Sequence, residues 1–557
     1  MNLSSLLIAL IPAAWLVPNH YPPWATAWPE GLAVALMLAA VLTRRSPGAM
    51  PVGWAAAIVV ALSALVLQWA TGRILFQADA LLVALFLLAF ALALWLGSTR
   101  DSGHDAGDGR ACTEPLALGI AAAALLSAAI ALFQWTGALH LGIWMADLPP
   151  GARPFGNVAQ PNHLCTIAFL GITSVALLRE AGRLGAVGFW LASSLLVFTM
   201  VMSGSRTGWL QFGVALALLA FASRRTGSHV RPAQFALLAG LYVVLSLAWP
   251  TINELAMLSG DRSLADPLAG SGRELLWPAL LDAVWREPCL GYGWQQMVLA
   301  QQAVALDHPA ILRHFEYSHN LVLDLLVWVG LPFGLLIVLL SGWALWRQMA
   351  QLTDARALWL LAGVLGVAMH AMLEYPLAYA YFLLPVGLML GAAHALTPGA
   401  RSIVLPRWVL PAGAVPLLVL LALIAVDYLK AEQNYRMLRL ESARIGVTRL
   451  ETPAPDLLLL DQLQAFLSFA RSEAVPDMSL AEVETMRRVA ERFAYPPAMF
   501  RYALAAGLNG QPAMAERTIA RLCRMHAPAR CDEAIDGWQM ARTKYPQLQP
   551  LPASVRP

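Results

Sequence analysis

Apolar runs recur from the N-terminus to about Val426, separated by short polar or Gly/Pro-rich segments. About 20 apolar residues in a helix cross a hydrocarbon core of about 30 Å. Thirteen spans are predicted, at residues 3–17, 31–43, 52–70, 75–97, 115–135, 162–180, 185–203, 207–223, 233–250, 319–346, 356–373, 376–396 and 406–426. The alternating pattern of a membrane β-barrel is absent. The first run, "MNLSSLLIALIPAAWLV", lacks a basic n-region and a small-residue cleavage site, and reads as a retained helix. After Tyr428 the pattern changes. In "SLAEVETMRRVAERFAYPPAMFRYALAAGLNGQPAMAERTIARLCRMHA" apolar positions fall at three- and four-residue spacing, broken at Pro496–Pro497 and Asn509–Gly510. The expected fold is all-α: a polytopic membrane helix bundle over 1–426 with a long loop at 251–318, then a C-terminal helical domain over 427–557. One apparent hairpin pair there is tetratricopeptide-like but too little to claim a solenoid.

Composition supports the membrane reading. The chain is 59% hydrophobic and 13% charged, against about 25% charged in soluble domains. The net charge of +3 says little about partners. Charge placement says more. One set of short loops holds thirteen arginines, Arg44, Arg45, Arg100, Arg110, Arg179, Arg183, Arg224, Arg225, Arg231, Arg347, Arg356, Arg401 and Arg407, whereas the opposite set holds Arg73, Arg153 and Arg206. The positive-inside rule puts the first set and the N-terminus in the cytoplasm. An odd number of spans then places the tail and the 251–318 loop outside, in the periplasm or its equivalent. Trp and Tyr cluster at the expected interfaces, as an aromatic belt requires. Cys523 and Cys531 fall on the oxidising side, where a disulfide and free buried thiols are both open. The chain has no CxxC and no Cys/His zinc spacing.

Ionisable groups at membrane depth are costly and usually functional. The candidates gather in five outward stretches: "RPFGNVAQPNHL" from Arg153, "SGSRTGWLQF" with Arg206 at its tip, "GSGRELLWPALLDAVWREPCLGYGW" in the long loop, "HFEYSHNLVLDLLVWVG", and "HAMLEYPLAYAY". In a helix bundle they are expected to converge on one outward-facing cavity. Arginine offers a planar fork that binds phosphate bidentately, so the cavity suits an anionic ligand, with pyrophosphate the natural candidate. Bland readings stand beside this one. With 35 Arg and two Lys, Arg206 is equally readable as a topogenic cation, and His319 as a helix-cap histidine. His308, His314 and His319, six and five residues apart, suit no single helix face, so a metal site is not expected.

These motifs together resemble the O-antigen ligase and polymerase superfamily of bacterial membrane glycosyltransferases. "GNVAQPNHLC", "SGSRTGWL", "GRELLWPALLDAVWREPCLGYGW", "YSHNLVLDLLVWVGLPFG" and "EYPLAYAYFLLPVG" occur in the order the superfamily shows. The "QPNH" and "EYP" forms and the helical tail are most similar to its protein-directed branch, the general or pilin O-oligosaccharyltransferases of the PglL type. The resemblance implies transfer of a glycan from undecaprenyl diphosphate to a Ser or Thr of a periplasmic, pilin-like protein, at the outer face of the inner membrane. It implies no metal and no cofactor, and nothing points to nucleic acid. It further implies His319 as the catalytic histidine, with Arg206 and Arg273 on the pyrophosphate. Gln160 and Asn162 position donor or acceptor, Tyr375 and Glu374 line the acceptor side, and Asn320 and Arg153 join the substrate-binding set. Histidine, with an ordinary pKa of about 6.5, suits base catalysis near neutral pH. The alternatives are an O-antigen ligase acting on lipid A core, an O-antigen polymerase, and a lipid-linked glycan flippase. Transporters place substrate at the midplane between repeats, whereas these polar groups lie to one side.

Overall fold

The computed structural model describes residues 2–18, 20–44, 49–99, 110–256, 272–406, 408–443 and 453–556. Of the features anticipated from sequence, Arg45, Arg100, Arg407 and loop residues 257–271 lie outside the described residues. Helices occupy all thirteen expected spans: α1 (Leu3–Leu10, continued by a 3₁₀ turn Ile11–Leu16), α2 (Ala27–Thr43), α3 (Val52–Ala70), α4 (Gln77–Gly97), α5 (Arg110–Thr136), α6 (Pro161–Glu180), α7 (Ala186–Met202), α8 (Thr207–Thr226), α9 (Pro232–Leu255), then α12 (Leu321–Ala350), α13 (Ala355–Ala371), α14 (Ala380–Ala395) and α15 (Val409–Ser442). The long loop adds α10 (Arg273–Arg286) and α11 (Met297–Val304), and the tail adds α16 (Asp461–Arg471), α17 (Leu480–Arg492), α18 (Pro496–Leu508), α19 (Pro512–Met525) and α20 (Pro528–Lys544). Among the described residues, seven helices (α3, α4, α5, α6, α9, α12 and α15) are long and apolar enough to cross a membrane, and five shorter apolar helices accompany them. The fold is that of a polytopic helical membrane protein.

The chain divides into two compact units. The first comprises Met1–Val59, Leu85–Pro267 and Val338–Leu421. At its centre α6 is buried from His163 to Leu178 without interruption, and it carries apolar residues on every face, with His163, Thr166, Thr173 and Ser174 buried among them. Small residues let neighbouring backbones approach, the device membrane helices use in place of a hydrophobic drive. A Cβ at Gly119 would stand 2.0 Å from the Ala9 carbonyl oxygen, and one at Gly391 would stand 2.0 Å from that of Leu94. A two-stranded antiparallel ribbon, Ala49–Pro51 with Ser402–Val404, joins two of its connecting segments.

The second unit comprises Val60–Ala84, Leu268–Ile337 and Ala422–Pro557. The domain boundary expected after Val426 falls inside α15, which continues to Ser442. The tail helices start from local signals: Ser479 and Glu482 form a capping box on α17, and prolines open α18, α19 and α20. Their apolar faces bury Met486, Val489, Met499, Ile519 and Leu522 in one core, which also takes in Phe76, Val298 and Ala305 from earlier in the chain. Cys523 and Cys531 are joined by a disulfide.

Candidate active site

In the first unit, Arg206 stands at the N-cap of α8 on a turn gripped from two sides. Arg153 Nη1 donates to the carbonyls of Ser203 (2.9 Å) and Gly204 (3.0 Å), which the end of α7 leaves without helical partners. Tyr242 Oη donates to the Ser205 carbonyl at 2.8 Å. Gly204 has φ +56°, a conformation that favours glycine, and a Cβ there would press on Arg153 Cδ at 3.0 Å. Arg153, expected among the substrate ligands, here builds the turn that presents Arg206.

The second cluster lies at the N-terminus of α6. Gln160 caps the helix, its Oε1 accepting from the His163 N–H at 2.7 Å. Asn162 Nδ2 donates to Glu374 Oε1 at 3.3 Å, and Tyr375 follows with its ring 5.9 Å from that of Tyr379. The "QPNH" and "EYP" motifs, about 210 residues apart in sequence, are thus brought together. Below them runs a buried polar chain that the motif reading did not single out. His163 packs edge-on to Tyr379 (5.0 Å), Phe382 (5.2 Å) and His370 (5.6 Å). His370 Nδ1 lies 2.8 Å from Thr166 Oγ1, which accepts from Gln211 Nε2 at 2.8 Å. The available signal was the presence of His, Thr and Gln inside apolar spans.

The second unit carries Arg273, His319 and Asn320. Arg273 opens α10 after Gly272 (φ +72°). One turn on, and so on the same face, Trp277 Nε1 donates to the Ser318 carbonyl at 2.8 Å, tying α10 to the residue before His319. His319 is half-buried with φ +62°. A non-glycine residue in the left-handed region costs of order 1–3 kcal/mol, and such strain gathers at functional sites. Its neighbours enforce it. The Ser318 N–H donates to Asp324 Oδ1 at 2.7 Å, and Asn320 Oδ1 accepts from the Val322 and Leu323 N–H groups, both at 3.1 Å. Asn320 therefore serves as the N-cap of α12, and it is Asn320, rather than His319, that fills the capping role weighed for the histidine.

The "CLGYGW" segment supports the same helix. α12 breaks at Gly330 (φ +77°, ψ 173°). There the Tyr292 and Gly293 N–H groups donate to the Val327 and Trp328 carbonyls at 2.9 and 3.0 Å. Buried Gln68 ties both sides: its Nε2 donates to the Leu290 and Trp328 carbonyls, each at 2.7 Å, and its Oε1 accepts from the Trp294 N–H at 3.1 Å. The short first half of α12, with His319 at its mouth, is fixed at both ends.

The three histidines of this stretch occupy three environments. His308 Nε2 meets Asp282 Oδ2 at 2.8 Å, and Arg286 joins the same carboxylate at 2.6 Å. Hydrogen bonds from Arg286 and His308 hold Asp282 below the usual carboxylate range. His314 stacks on His526, with ring centroids 6.0 Å apart. His319 stands apart, edge-on to Phe315 at 5.7 Å. Among the described residues, no three His, Cys, Asp or Glu side chains group as metal ligands.

Burial pushes His526 down to about 4 and lowers His314 as well, the latter against the pull of Glu316 and with a further push from Arg492. Tyr495 also packs against this pair, its ring 5.7 Å from that of His314. Both folded pKa values lie below the unfolded value of about 6.5. The unfolded chain therefore binds more protons, and this stability is full above pH 6.5 and lost as pH falls toward 4. Thermal unfolding in detergent is expected at lower temperature as pH drops from 7 to 4.5, with a shallower fall for His526→Gln. Equal slopes in the two proteins would contradict this assignment.

Comparison with known proteins accounts for this collection of parts. Residues 191–339 match the O-antigen ligase family model, and residues 357–541 match that of the C-terminal region of the virulence factor membrane-bound polymerase. The chain is 31% identical over 538 residues to a general O-oligosaccharyltransferase of Acinetobacter baylyi, covering 94% of this chain and 92% of the relative. It is 32% identical over 241 residues to a ComP-specific O-oligosaccharyltransferase of the same organism, covering 43% of each. No solved structure matches it. The glycosyltransferase motifs stand in order along a polytopic helical membrane protein, and the similarity runs nearly end to end; the chain belongs to the O-oligosaccharyltransferase family of membrane glycosyltransferases.

Proposed function

We propose that this enzyme transfers a preassembled oligosaccharide from undecaprenyl diphosphate to a Ser or Thr hydroxyl of a pilin-like protein, at the outer face of the bacterial inner membrane. The acceptor oxygen attacks the anomeric carbon, the bond from that carbon to the diphosphate oxygen breaks, and undecaprenyl diphosphate leaves. His319 takes the hydroxyl proton. Arg206 and Arg273 hold the diphosphate and stabilise the charge that develops on it. Asn162, tied to Glu374, and Gln160, whose Oε1 is spent on the α6 cap while its Nε2 remains a donor, orient the reacting sugar and hydroxyl. Tyr375 lines the acceptor side. The observation that carries this reading is the near full-length similarity to a general O-oligosaccharyltransferase.

Orientation follows from the arginine asymmetry of the loops, with the N-terminus in the cytoplasm and the tail outside. A phosphatase reporter fused after Pro557 is expected to be active, and a fluorescent protein that matures only in the cytoplasm to stay dark. The reverse pattern would overturn the orientation. For the reaction itself, expression in a bacterium supplying a lipid-linked glycan and a pilin acceptor is expected to yield glycan on Ser or Thr, released by β-elimination. Pilin that stays unmodified while the protein is present in the membrane would refute the assignment. The matches to ligase and polymerase models favour one competing reading, transfer to lipid A core or to a growing O-antigen.

A further inference from the structure

The stretch between α11 and α12, residues 305–320, forms no helix, so no helical ladder holds it. It nonetheless carries two non-glycine residues in the left-handed region, Leu312 (φ +56°) and His319 (φ +62°). Strain of this kind persists only where the surroundings over-determine the backbone. Part of the hold comes from α11: Gln301 donates to the Arg313 carbonyl at 2.8 Å and accepts from the Phe315 N–H at 3.0 Å. Trp277, Asp324 and the Asn320 cap hold residues 318–320, and a further part comes from the tail. The strained Leu312 gives its N–H to the Arg524 carbonyl at 3.0 Å, and Arg524 Nη1 reaches the His308 carbonyl at 3.4 Å. His314 lies between the rings of Tyr495 (5.7 Å) and His526 (6.0 Å, planes 21° apart). Its Nε2 is buried with no hydrogen-bond partner among the described residues, so ring packing is what places it. His526 is itself fixed, its Nε2 donating to the Ala494 carbonyl at 2.9 Å. Arg524 and His526 sit between Cys523 and Cys531, whose disulfide closes the turn from α19 to α20.

We propose that this disulfide-closed turn is a clamp that positions the loop presenting His319, and that His526 is its positioning residue, acting through His314. The inference rests on the reading of His319 as the base. The path is continuous: the His526 ring holds His314, the next residue is Phe315, and the Phe315 ring meets His319 edge-on at 5.7 Å. The tail thus sets the geometry of His319 through this path.

The test uses the full chain in lipid, with transfer kinetics and hydrogen exchange of residues 308–319 measured on the same samples. His526→Ala is expected to lower kcat at least tenfold with little change in KM for donor or acceptor, and to speed exchange across 308–319. His526→Phe keeps a stacking ring and is expected to recover kcat to within about threefold. Should His526→Ala fail to reach the membrane, Cys523→Ala/Cys531→Ala carries the same test, with kcat and loop protection expected to fall together. The proposal is overturned if kcat falls while exchange stays slow, if the Phe variant falls as far as the Ala variant, or if neither quantity moves. A wild-type protein that transfers no glycan would instead sink the transferase reading, and the exchange experiment would still report on the clamp.

Discussion

Replacing His319 with alanine is expected to reduce glycan transfer about 10²–10⁴-fold, the usual worth of a positioned general base, while leaving binding of the lipid-linked donor largely intact because both arginines remain. The histidine sits half-buried, on a strained backbone, at the mouth of α12. His308 and His314 serve other ends: the first pairs with Asp282, and the second is packed against Tyr495 and His526. His308→Ala is therefore expected to change turnover less than threefold, and a chelator to change nothing. Near-normal turnover in His319→Ala would remove the proposed base. Equal losses at His308 and His319, restored by added zinc, would replace it with a metal site. Loss of donor binding in His319→Ala would make the residue a diphosphate ligand.

Arg206→Lys and Arg273→Lys are each expected to slow transfer about 10- to 150-fold. Lysine keeps the charge but loses the planar fork, and a hydrogen bond to a charged group contributes about 1.5–3 kcal/mol, which converts to that range at about 1.4 kcal/mol per factor of ten. Arg153→Lys provides the contrast. Arg153 donates to the Ser203 and Gly204 carbonyls, so its loss is expected to lower membrane abundance together with activity. Abundance measured alongside turnover separates the two cases. Wild-type transfer by both the Arg206 and Arg273 lysine variants would show that neither guanidinium takes part.

The thirteen helices were legible because each is written locally, as an apolar run with a cap or a break at its ends. The exceptions are instructive. α2 begins at Ala27 rather than residue 31, and α15 runs on to Ser442, because Ala27–Glu30 and Asp427–Ser442 continue a helix through residues that an apolarity count rejects. Asn162 and Glu374 lie in two of the outward stretches expected to converge, and these two side chains are hydrogen-bonded. How a polar side chain divides its hydrogen bonds was not legible. The resemblance implies Gln160, Asn320 and Arg153 as substrate ligands; each also bonds a helix end or turn, which only the backbone path reveals. Gln68 is a bolder case. It is one amide in an apolar run, and its three bonds to the 290–294 segment and Trp328 depend on contacts more than 200 residues away. The grip of Arg524 and His526 on the His319 loop was hidden for the same reason, although the cysteines that close their turn stood out as a possible pair.

Competition between acceptors decides whether the glycan goes to protein. Purified wild-type protein in lipid is given an undecaprenyl-diphosphate-linked glycan with equal concentrations of pilin and lipid A core, and the glycan on each acceptor is counted by mass spectrometry. Glycan is expected on pilin Ser or Thr residues, with little on lipid A core and no polymerised glycan. Glycan appearing on lipid A core alone, or as chains of repeated units with pilin untouched, would contradict transfer to protein.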